Sequence, residues 1–214
     1  MRWRWHVAGG AIQNLGTEYH HEKFLENMWT MRTSGCFALT ELGHGSNVRG
    51  LETTAHYDAS TQEFIINTPT ETAQKYLIGN GTTADHAVVF AQLFIDGASR
   101  GVHAFVVPIR DGAGGPILPG RRVASCGHKM GLLGVNNGRL WFDKVRIPRQ
   151  NLLNRFADVT PEGEYESPIP SDDMRFAFSM GELVAGRVNM TGGANNISKV
   201  QRLPDVLAVS CCGC

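Results

Sequence analysis

Short apolar or alternating runs dominate the chain between Cys36 and Leu153. Seven of them are separated by Gly, Asn, Asp and Pro residues, and they read CFALT, ETTAHY, EFIIN, HAVVFAQLFI, VHAFVVPI, RRVAS and RLWFDKVRI. Runs of this length, rich in β-branched and aromatic residues and bounded by turn residues, are typical of β-strands. Because no helical pattern alternates with them, they predict a closed or sandwiched β domain rather than a βαβ array.

Helical periodicity occurs on both sides of these strands. Residues 17–29 predict a short amphipathic helix, for which Thr17 is the expected N-cap. Its apolar face comprises Phe24, Leu25, Met28 and Trp29. A second helical pattern covers residues 176–188, and its shared face comprises Phe176, Met180, Leu183 and Val184. Beyond Arg187, paired glycines, paired asparagines and a proline interrupt the pattern, so the helix is predicted to end there.

Composition and charge exclude several classes of partner. Among 214 residues, 20 basic and 20 acidic side chains cancel, so no overall field attracts nucleic acid or an anionic membrane surface. No apolar run approaches the roughly 18 residues of a membrane span, and the first ten residues lack the apolar region of a secretory signal. We therefore expect an intracellular protein with no membrane span. The five cysteines are expected to be reduced, since Cys36 and Cys126 each stand alone in an apolar segment.

The segment TELGHGSN, residues 40–47, is the first candidate for chemistry. It combines a threonine, a carboxylate, a histidine and a serine with two glycines. The spacing does not fit the G-x-S-x-G form of a nucleophile elbow, which argues against acyl transfer. Because the segment follows a predicted strand, its side chains can face a ligand while the scaffold stays rigid.

Two further motifs have simpler interpretations. GNGTTA, residues 79–84, fits the G-x-G-x-x-A form of a dinucleotide site, but a strand follows it where that site needs a helix. It predicts a glycine turn that touches a ligand or closes a hairpin. The neighbours His20, His21 and Glu22 point in different directions on a helix, so a solvated face is favoured and no metal site is predicted.

Six segments in one order resemble a known family. They are GCFALTELGHGSNVRGLETTAHYD, EFIINTP, GVHAFVVPIRD, GHKMGLLGVNNG, FDKVRIPRQNLLNRFADVTPEGEY and GELVAGRV, between about Gly9 and about Arg187. Together they resemble the peroxisomal, plant-type acyl-CoA oxidases of fatty-acid β-oxidation. The related acyl-CoA dehydrogenases carry a proline and an aspartate where this chain has Leu42 and Asn47, so the oxidase branch is favoured and a dehydrogenase is the alternative.

The resemblance implies an α+β fold, in which an acyl-CoA dehydrogenase-like central β-barrel is flanked by short helical segments. Residues 1–35 would be the end of an N-terminal helical domain and residues 36–155 the central β-barrel domain. Residues 156–190 would be a linker and the start of a C-terminal helical domain, whose helical bundle is expected to be missing. Residues 191–214 are expected to be an atypical, disordered tail.

The same resemblance implies a reaction and a cofactor. Oxidases of this family convert fatty acyl-CoA to trans-2-enoyl-CoA with FAD as cofactor, and O₂ is reduced to hydrogen peroxide. Thr40 and Gly79 match the flavin-contacting threonine and glycine of the family, and Ser46 matches a serine near the cofactor. The base of the family is a glutamate of the C-terminal helical domain, so no catalytic residue is assigned here and Glu41 is not taken as its substitute.

Location and assembly follow from the resemblance alone. The last three residues are not the peroxisomal signal S-K-L, so a peroxisomal location and a homodimer are expectations taken from the family. The isolated chain is expected neither to retain FAD nor to form peroxide. The alternative to an oxidase is a non-catalytic fragment that binds flavin or a partner.

Overall fold

The computed structural model describes residues 3–131, 133–181, 187–188, 190–196 and 198–199, with side chains from residue 8 onward. Helix α1 is Trp3–Leu15, and α2, Glu18–His20, continues through a π-helical segment, His21–Leu25, into α3, Glu26–Trp29. Helix α4 is Asp172–Ser179. None of the helices in this part of the chain is long and apolar enough to cross a membrane.

Eleven strands are present in the described residues. They are β1 Gly35–Ala38, β2 Thr54–Asp58, β3 Glu63–Asn67, β4 Lys75–Gly79, β5 His86–Ile95, β6 Ala98–Pro108, β7 Arg121–Ser125, β8 Asn137–Phe142, β9 Val145–Pro148, β10 Asp158–Val159 and β11 Tyr165–Glu166.

The larger sheet is built around β5. Strand β6 pairs with one edge of β5 in antiparallel orientation. The other edge is shared by two parallel strands, because β1 lies against residues 86–89 and β2 against residues 92–94. Strands β3 and β9 extend the sheet beyond β2, so its order is β1-β5-β2-β3-β9 with β6 on the free edge of β5.

A smaller sheet, in the order β4-β8-β7, packs against the larger one. The chain passes between the sheets just after β1, where Glu41 forms an antiparallel bridge with Lys75 at the start of β4. One apolar core serves both sheets. It takes Phe64 and Phe105 from the larger sheet and Leu140 from the smaller, and the two phenylalanine rings lie 5.0 Å apart. The sheets therefore form a curled half-barrel.

The seven predicted strand segments are all strands, with two differences in detail. The run RLWFDKVRI forms two strands, β8 and β9, because the chain turns between them at Lys144, which has a φ of 46°. Strand β4 was not among the predicted segments. Its first residue, Lys75, is a charged side chain that points into the core, so the strand lacks the expected alternation.

The helix predicted over residues 17–29 is present, with Thr17 at its N-cap. Phe24, Leu25 and Met28 are buried as predicted, but Trp29 is 64% exposed, so its placement on the buried face is wrong. The solvated face predicted for His20 is also wrong. His20 is buried, and its ring Nδ1 accepts a hydrogen bond from the backbone N–H of Thr17 at 3.1 Å, which caps the helix.

Helix α1 is not indicated by the sequence pattern, because its centre contains two adjacent glycines. Its buried residues nevertheless have helical spacing, and they are Ala8, Ala11, Ile12 and Leu15. A Cβ added at Gly9 would lie 3.5 Å from Leu25, so the small residue allows α1 and the following helix to pack closely.

The predicted helix over 176–188 begins four residues earlier, at Asp172. Leu183 and Val184 lie outside the described residues. Residues 180–214 form a separate unit, in which residues 190–196 and 198–199 are helical where the sequence predicts that the helix has ended. The hydroxyl groups of Thr191 and Ser198 donate to the carbonyls of Arg187 and Ala194, which is the usual way that such residues are accommodated within a helix.

The close contact between β8 and the 79–84 turn can be tested at Gly138. A Cβ at this position would lie 2.8 Å from the backbone of Gly81, so Gly138→Ala forces two backbone segments apart. We expect the free energy of unfolding in urea to fall by about 1–3 kcal/mol. The control is Gly45→Ala, whose Cβ would meet nothing within 4 Å, and equal unfolding midpoints for the two variants would contradict the contact.

Candidate functional site

The first candidate segment, residues 40–47, lies where the chain crosses from the larger to the smaller sheet. The hydroxyl of Thr40 donates to the carbonyl of Tyr76 at 2.8 Å, and the N–H of Tyr76 donates to the carbonyl of Thr40 at 3.0 Å. Both residues are half-buried. Thr40 is thus held from its backbone and its side chain, and its hydroxyl oxygen keeps the capacity to accept a further hydrogen bond.

A tight turn follows directly. The N–H of Glu41 donates to the carbonyl of His44 at 3.1 Å, and the N–H of His44 returns a bond to the carbonyl of Glu41 at 3.2 Å. Gly43 donates its N–H to the carbonyl of Thr72, and a Cβ at Gly43 would lie 3.1 Å from the side chain of Thr72. The first glycine of the motif is therefore needed because two backbone segments approach each other closely.

Glu41 and Lys75 form an ion pair with no exposed side-chain surface. Lys75 Nζ lies 2.9 Å from Glu41 Oε1, and it also donates to the carbonyls of Leu39 and Phe90 at 3.1 and 2.7 Å. All three ammonium protons thus have acceptors. Glu41 Oε1 also accepts from the N–H and the hydroxyl of Thr53, and the second carboxylate oxygen accepts from the N–H of Glu52 at 2.7 Å.

The surroundings keep both groups of this pair charged at neutral pH. Burial alone would raise the pKa of Glu41, but the charge of Lys75 and the hydrogen bonds from Glu52 and Thr53 outweigh it, so the pKa is lowered. Burial lowers the pKa of Lys75 to about 8, and the attraction of Glu41 limits this decrease. An ionised, hydrogen-bonded carboxylate in the core is a poor general base, which agrees with leaving Glu41 without a catalytic role.

His44 takes little part in this network. Its Nδ1 lies 3.4 Å from Glu41 Oε2 and 3.6 Å from Glu52 Oε1, which are distances of electrostatic contact rather than of good hydrogen bonds. Ser46 lies exposed further along the same loop.

A bulge in β4 leaves Gly79 exposed at the end of the strand. The register against β8 shifts between Lys75 and Ile78, so both of these side chains face the core although they are three residues apart. Leu77, with a φ of 59°, is left 54% exposed, and Gly79 lies exposed at the end of the strand. A Cβ at Gly79 would meet nothing within 4 Å. The bulge therefore produces an open surface at Gly79.

A cationic cleft of about 370 Å³ lies between the first half of β6 and α4. Its lining includes Arg49, Gln92, Arg100, His103, Arg175 and Phe176. Sequence analysis did not find this cluster, because its arginines are dispersed along the chain and no local motif unites them. Within the described residues, no group of three or more His, Cys, Asp or Glu side chains is placed to hold a metal ion.

Comparison with known proteins defines the class. Residues 36–145 match the family model described as the middle domain of acyl-CoA dehydrogenases. Among curated relatives, the chain is 54% identical over 193 residues to peroxisomal acyl-coenzyme A oxidase 3 of Arabidopsis thaliana, covering 90% of this chain and 28% of that protein. It is 48% identical to the human peroxisomal acyl-coenzyme A oxidase 3, covering 86% of this chain and 26% of the relative.

A comparison with solved structures also finds an acyl-CoA oxidase. Acyl-CoA oxidase-2 of Caenorhabditis elegans, bound with FAD, ascaroside-CoA and ATP, superposes with a TM-score of 0.81 at 38% identity, covering 87% of this chain and 28% of that one. The chain belongs to the acyl-CoA oxidase family, within the acyl-CoA dehydrogenase superfamily, and the oxidase branch expected from Leu42 and Asn47 is confirmed. It spans little more than a quarter of the length of these relatives.

The residues present fit one side of a flavin. Thr40 offers a positioned acceptor for a ring N–H, and the surface at Gly79 is open to a flat ring. Tyr76 is the hydrogen-bonding partner of Thr40, and Gly79 lies three residues further along β4. Three residues of strand place Gly79 roughly 10 Å from Tyr76. A tricyclic ring with its substituents can span this separation. The exposed apolar side chains of Leu42 and Leu77 add surface against which such a ring could pack.

Removing one member of the buried ion pair should destabilise the fold. We expect Glu41→Gln or Lys75→Met to lower the free energy of unfolding by about 3–5 kcal/mol, because each leaves an uncompensated buried charge. The double variant should recover part of this loss, as measured by urea unfolding. As a control, Arg146→Gln removes exposed, solvent-screened ion pairs and should destabilise the fold far less than either core substitution. A double variant as unstable as the sum of the two single ones would exclude the coupling.

Acid should destabilise the chain through the same carboxylate. Because the folded-state pKa of Glu41 is lowered, its contribution is complete above the unfolded-state value of about 4.3 and is lost as the pH falls from there through the folded pKa. Urea unfolding between pH 7 and pH 3 measures this loss. The side chain introduced by Glu41→Gln does not titrate, so the free energy of unfolding of this variant should decrease less between pH 7 and pH 3. Equal decreases for the variant and the unsubstituted chain would contradict the role of Glu41 in the acid sensitivity.

Proposed function

We propose that this chain is the flavin-binding middle part of an acyl-CoA oxidase of fatty-acid β-oxidation. The reaction is the conversion of a fatty acyl-CoA to the trans-2-enoyl-CoA, with O₂ reduced to hydrogen peroxide. The observation that carries this proposal is the 54% identity to a peroxisomal acyl-CoA oxidase across the segment that forms the half-barrel. FAD, when bound, would supply the acceptor for the hydride and the path of electrons to O₂.

In this proposal Thr40 accepts a hydrogen bond from the polar edge of the flavin, while its own hydroxyl continues to donate to the carbonyl of Tyr76. Gly79 lets the ring approach the backbone, and Ser46 lies near the cofactor. No catalytic residue is assigned. Glu41 is excluded as the base because Lys75 and Thr53 occupy its carboxylate in the core.

The cationic cleft suits the other end of the substrate. Coenzyme A carries phosphate groups, and the guanidinium groups of Arg49, Arg100 and Arg175 are the side chains best suited to bind them. Asp172 pairs with Arg175 and Asp173 pairs with Arg49, so the three arginines exceed these two carboxylates by one positive charge. We assign the phosphates of acyl-CoA to this cleft.

The domain organisation and location follow the same proposal. Residues 1–35 would end an N-terminal helical domain, 36–155 would be the central domain, and 156–190 would lead into a C-terminal helical domain, with 191–214 as an atypical tail. The relatives in Arabidopsis and human are named peroxisomal, which supports a peroxisomal location. A homodimer is proposed from the family resemblance.

Gly79 also bears on the reaction with O₂. Many dehydrogenases of the superfamily carry a threonine at the corresponding position, and a missing side chain leaves room for O₂ beside the flavin edge. The Cβ position at Gly79 is open in this structure, with no other atom within 4 Å, so the Cβ of a threonine displaces no neighbouring atom.

A chimera tests the proposal in the context of a complete enzyme. Residues 36–155 of this chain replace the matching segment of the Arabidopsis relative, to which the chain is 54% identical. We expect the purified chimera to contain flavin, seen by its visible absorbance, and to form peroxide from a fatty acyl-CoA. A folded chimera that binds no flavin would refute the assignment.

Two variants of the chimera examine the assigned residues. Thr40→Val removes the acceptor at constant shape and should weaken FAD binding by about 5–10-fold, the loss of one hydrogen bond.

Gly79→Thr should leave the unfolding temperature unchanged and slow reoxidation of the reduced flavin by O₂. An unchanged reoxidation rate would disprove the role of the open position.

A further inference from the structure

Tyr165 lies between two arginines of the cationic cleft. The guanidinium carbon of Arg100 is 5.3 Å from the centre of the Tyr165 ring, and that of Arg175 is 5.4 Å from it. Both distances are within the range of cation–π attraction. A single aromatic ring therefore contacts two of the cations that line the cleft, although Arg100 and Arg175 come from distant parts of the chain.

A hydrogen-bonded histidine fixes the orientation of this ring. His103 Nδ1 lies 3.1 Å from the carbonyl of Gly101, which can only accept, so Nδ1 carries the proton. Nε2 of the neutral imidazole is then an acceptor, and the hydroxyl of Tyr165, 3.0 Å away, donates to it. The two rings meet edge to face, with their planes at 86°.

The neutral form of His103 agrees with its surroundings. Burial lowers the pKa of His103 to about 4, while the hydrogen bond to Gly101 opposes the change and the charge of Arg175 adds to it. The backbone of Tyr165 is fixed separately, because β11 pairs Tyr165 with Val159 of β10. The ring is thus held at both ends and can act as a rigid platform.

The guanidinium group of Arg175 is held by the protein. Its terminal nitrogens bond to the carbonyls of Ile169 and Pro170 and to the carboxylate of Asp172, whereas its buried Nε has no hydrogen-bonding partner in the structure. Arg100 is exposed beside Gly101 near the start of β6. An anion in the cleft would therefore bind to the exposed Arg100, beside the charge of Arg175.

We propose that Tyr165, oriented by His103, is a positioning residue that holds Arg100 and Arg175 for the phosphate groups of acyl-CoA. The proposal rests on the proposed function, since it concerns the substrate of the same protein. Tyr165 itself need not touch the ligand. Its effect passes through the two guanidinium groups, and it matters most for Arg100, whose exposed side chain would otherwise sample many rotamers.

Titration calorimetry of this chain with coenzyme A tests the proposal. Tyr165→Leu removes the ring and should weaken binding about tenfold, corresponding to two cation–π contacts. Tyr165→Phe keeps the ring but removes the bond to His103, and it should weaken binding by about threefold or less. The matched control is Tyr57→Phe, which removes a comparable hydrogen bond to Pro161 outside the cleft and should leave binding unchanged.

A double-variant experiment distinguishes the positioning of the arginines by Tyr165 from a general loss of structure. In an Arg100→Gln background, Tyr165→Leu should lose at least half of its effect on coenzyme A binding, because one of its two cations is absent. Pantetheine lacks the phosphate groups, so its binding should not respond to either change. Circular dichroism and the unfolding temperature verify that each variant is folded.

Two results would overturn the proposal. The first is a folded Tyr165→Leu variant that binds coenzyme A as the unsubstituted chain does, or whose effect adds fully to that of Arg100→Gln. The second is an unsubstituted chain that does not bind coenzyme A at millimolar concentration. Neither result decides the proposed function, which the flavin content and peroxide formation of the chimera test independently.

Discussion

The buried ion pair between Glu41 and Lys75 is the interaction on which the arrangement of the half-barrel depends. Lys75 Nζ connects three segments, since it bonds to the carbonyl of Leu39 after β1, to Glu41 in the crossing segment and to the carbonyl of Phe90 in β5. Burying two charges costs free energy that a pair of apolar residues would not, so the pair is poorly explained as a source of stability. We interpret it as the feature that fixes register, because only one alignment of β1 against β4 gives each polar atom a partner. That alignment places Thr40 beside Tyr76.

Most of the β domain could be predicted from alternating or continuous apolar runs, because strands such as β3 and β8 bury every second side chain and β6 buries a continuous run. Strand β4 was not predicted, and the reason is the same feature that makes it important in the fold. Its core position holds Lys75 rather than an apolar residue, and a bulge then changes which side chains face inward. Both features depend on partners 15 or more residues away, and no local pattern contains that information.

The candidate site likewise has one part that could be predicted from the sequence and one part that could not. Thr40 and Gly79 could be named from the resemblance, and the structure adds the reason that each position is suited to a ligand, while their contact with flavin stays a prediction. The cationic cleft could not be found from the sequence. Equal numbers of acidic and basic residues exclude a field over the whole chain, but they do not exclude a local excess of positive charge. Arg100 of β6 and Arg175 of α4 both contact the ring of Tyr165, which is hydrogen-bonded to His103 of β6.

The loop from Thr40 to Arg49 connects these two parts of the molecule. One end is fixed to β4 at Tyr76, and the other end is fixed to β5 because Gln92 donates its amide to the carbonyl of Arg49 at 2.9 Å. An acyl-CoA would need both sites at a fixed separation, since its reacting carbons must meet the flavin while its phosphates lie at the far end of a long pantetheine arm. A single loop anchored at both sites would keep the distance between them constant. The ion pair of Glu41, which lies inside this loop, therefore fixes the register of the fold and also the geometry between the proposed flavin and phosphate sites.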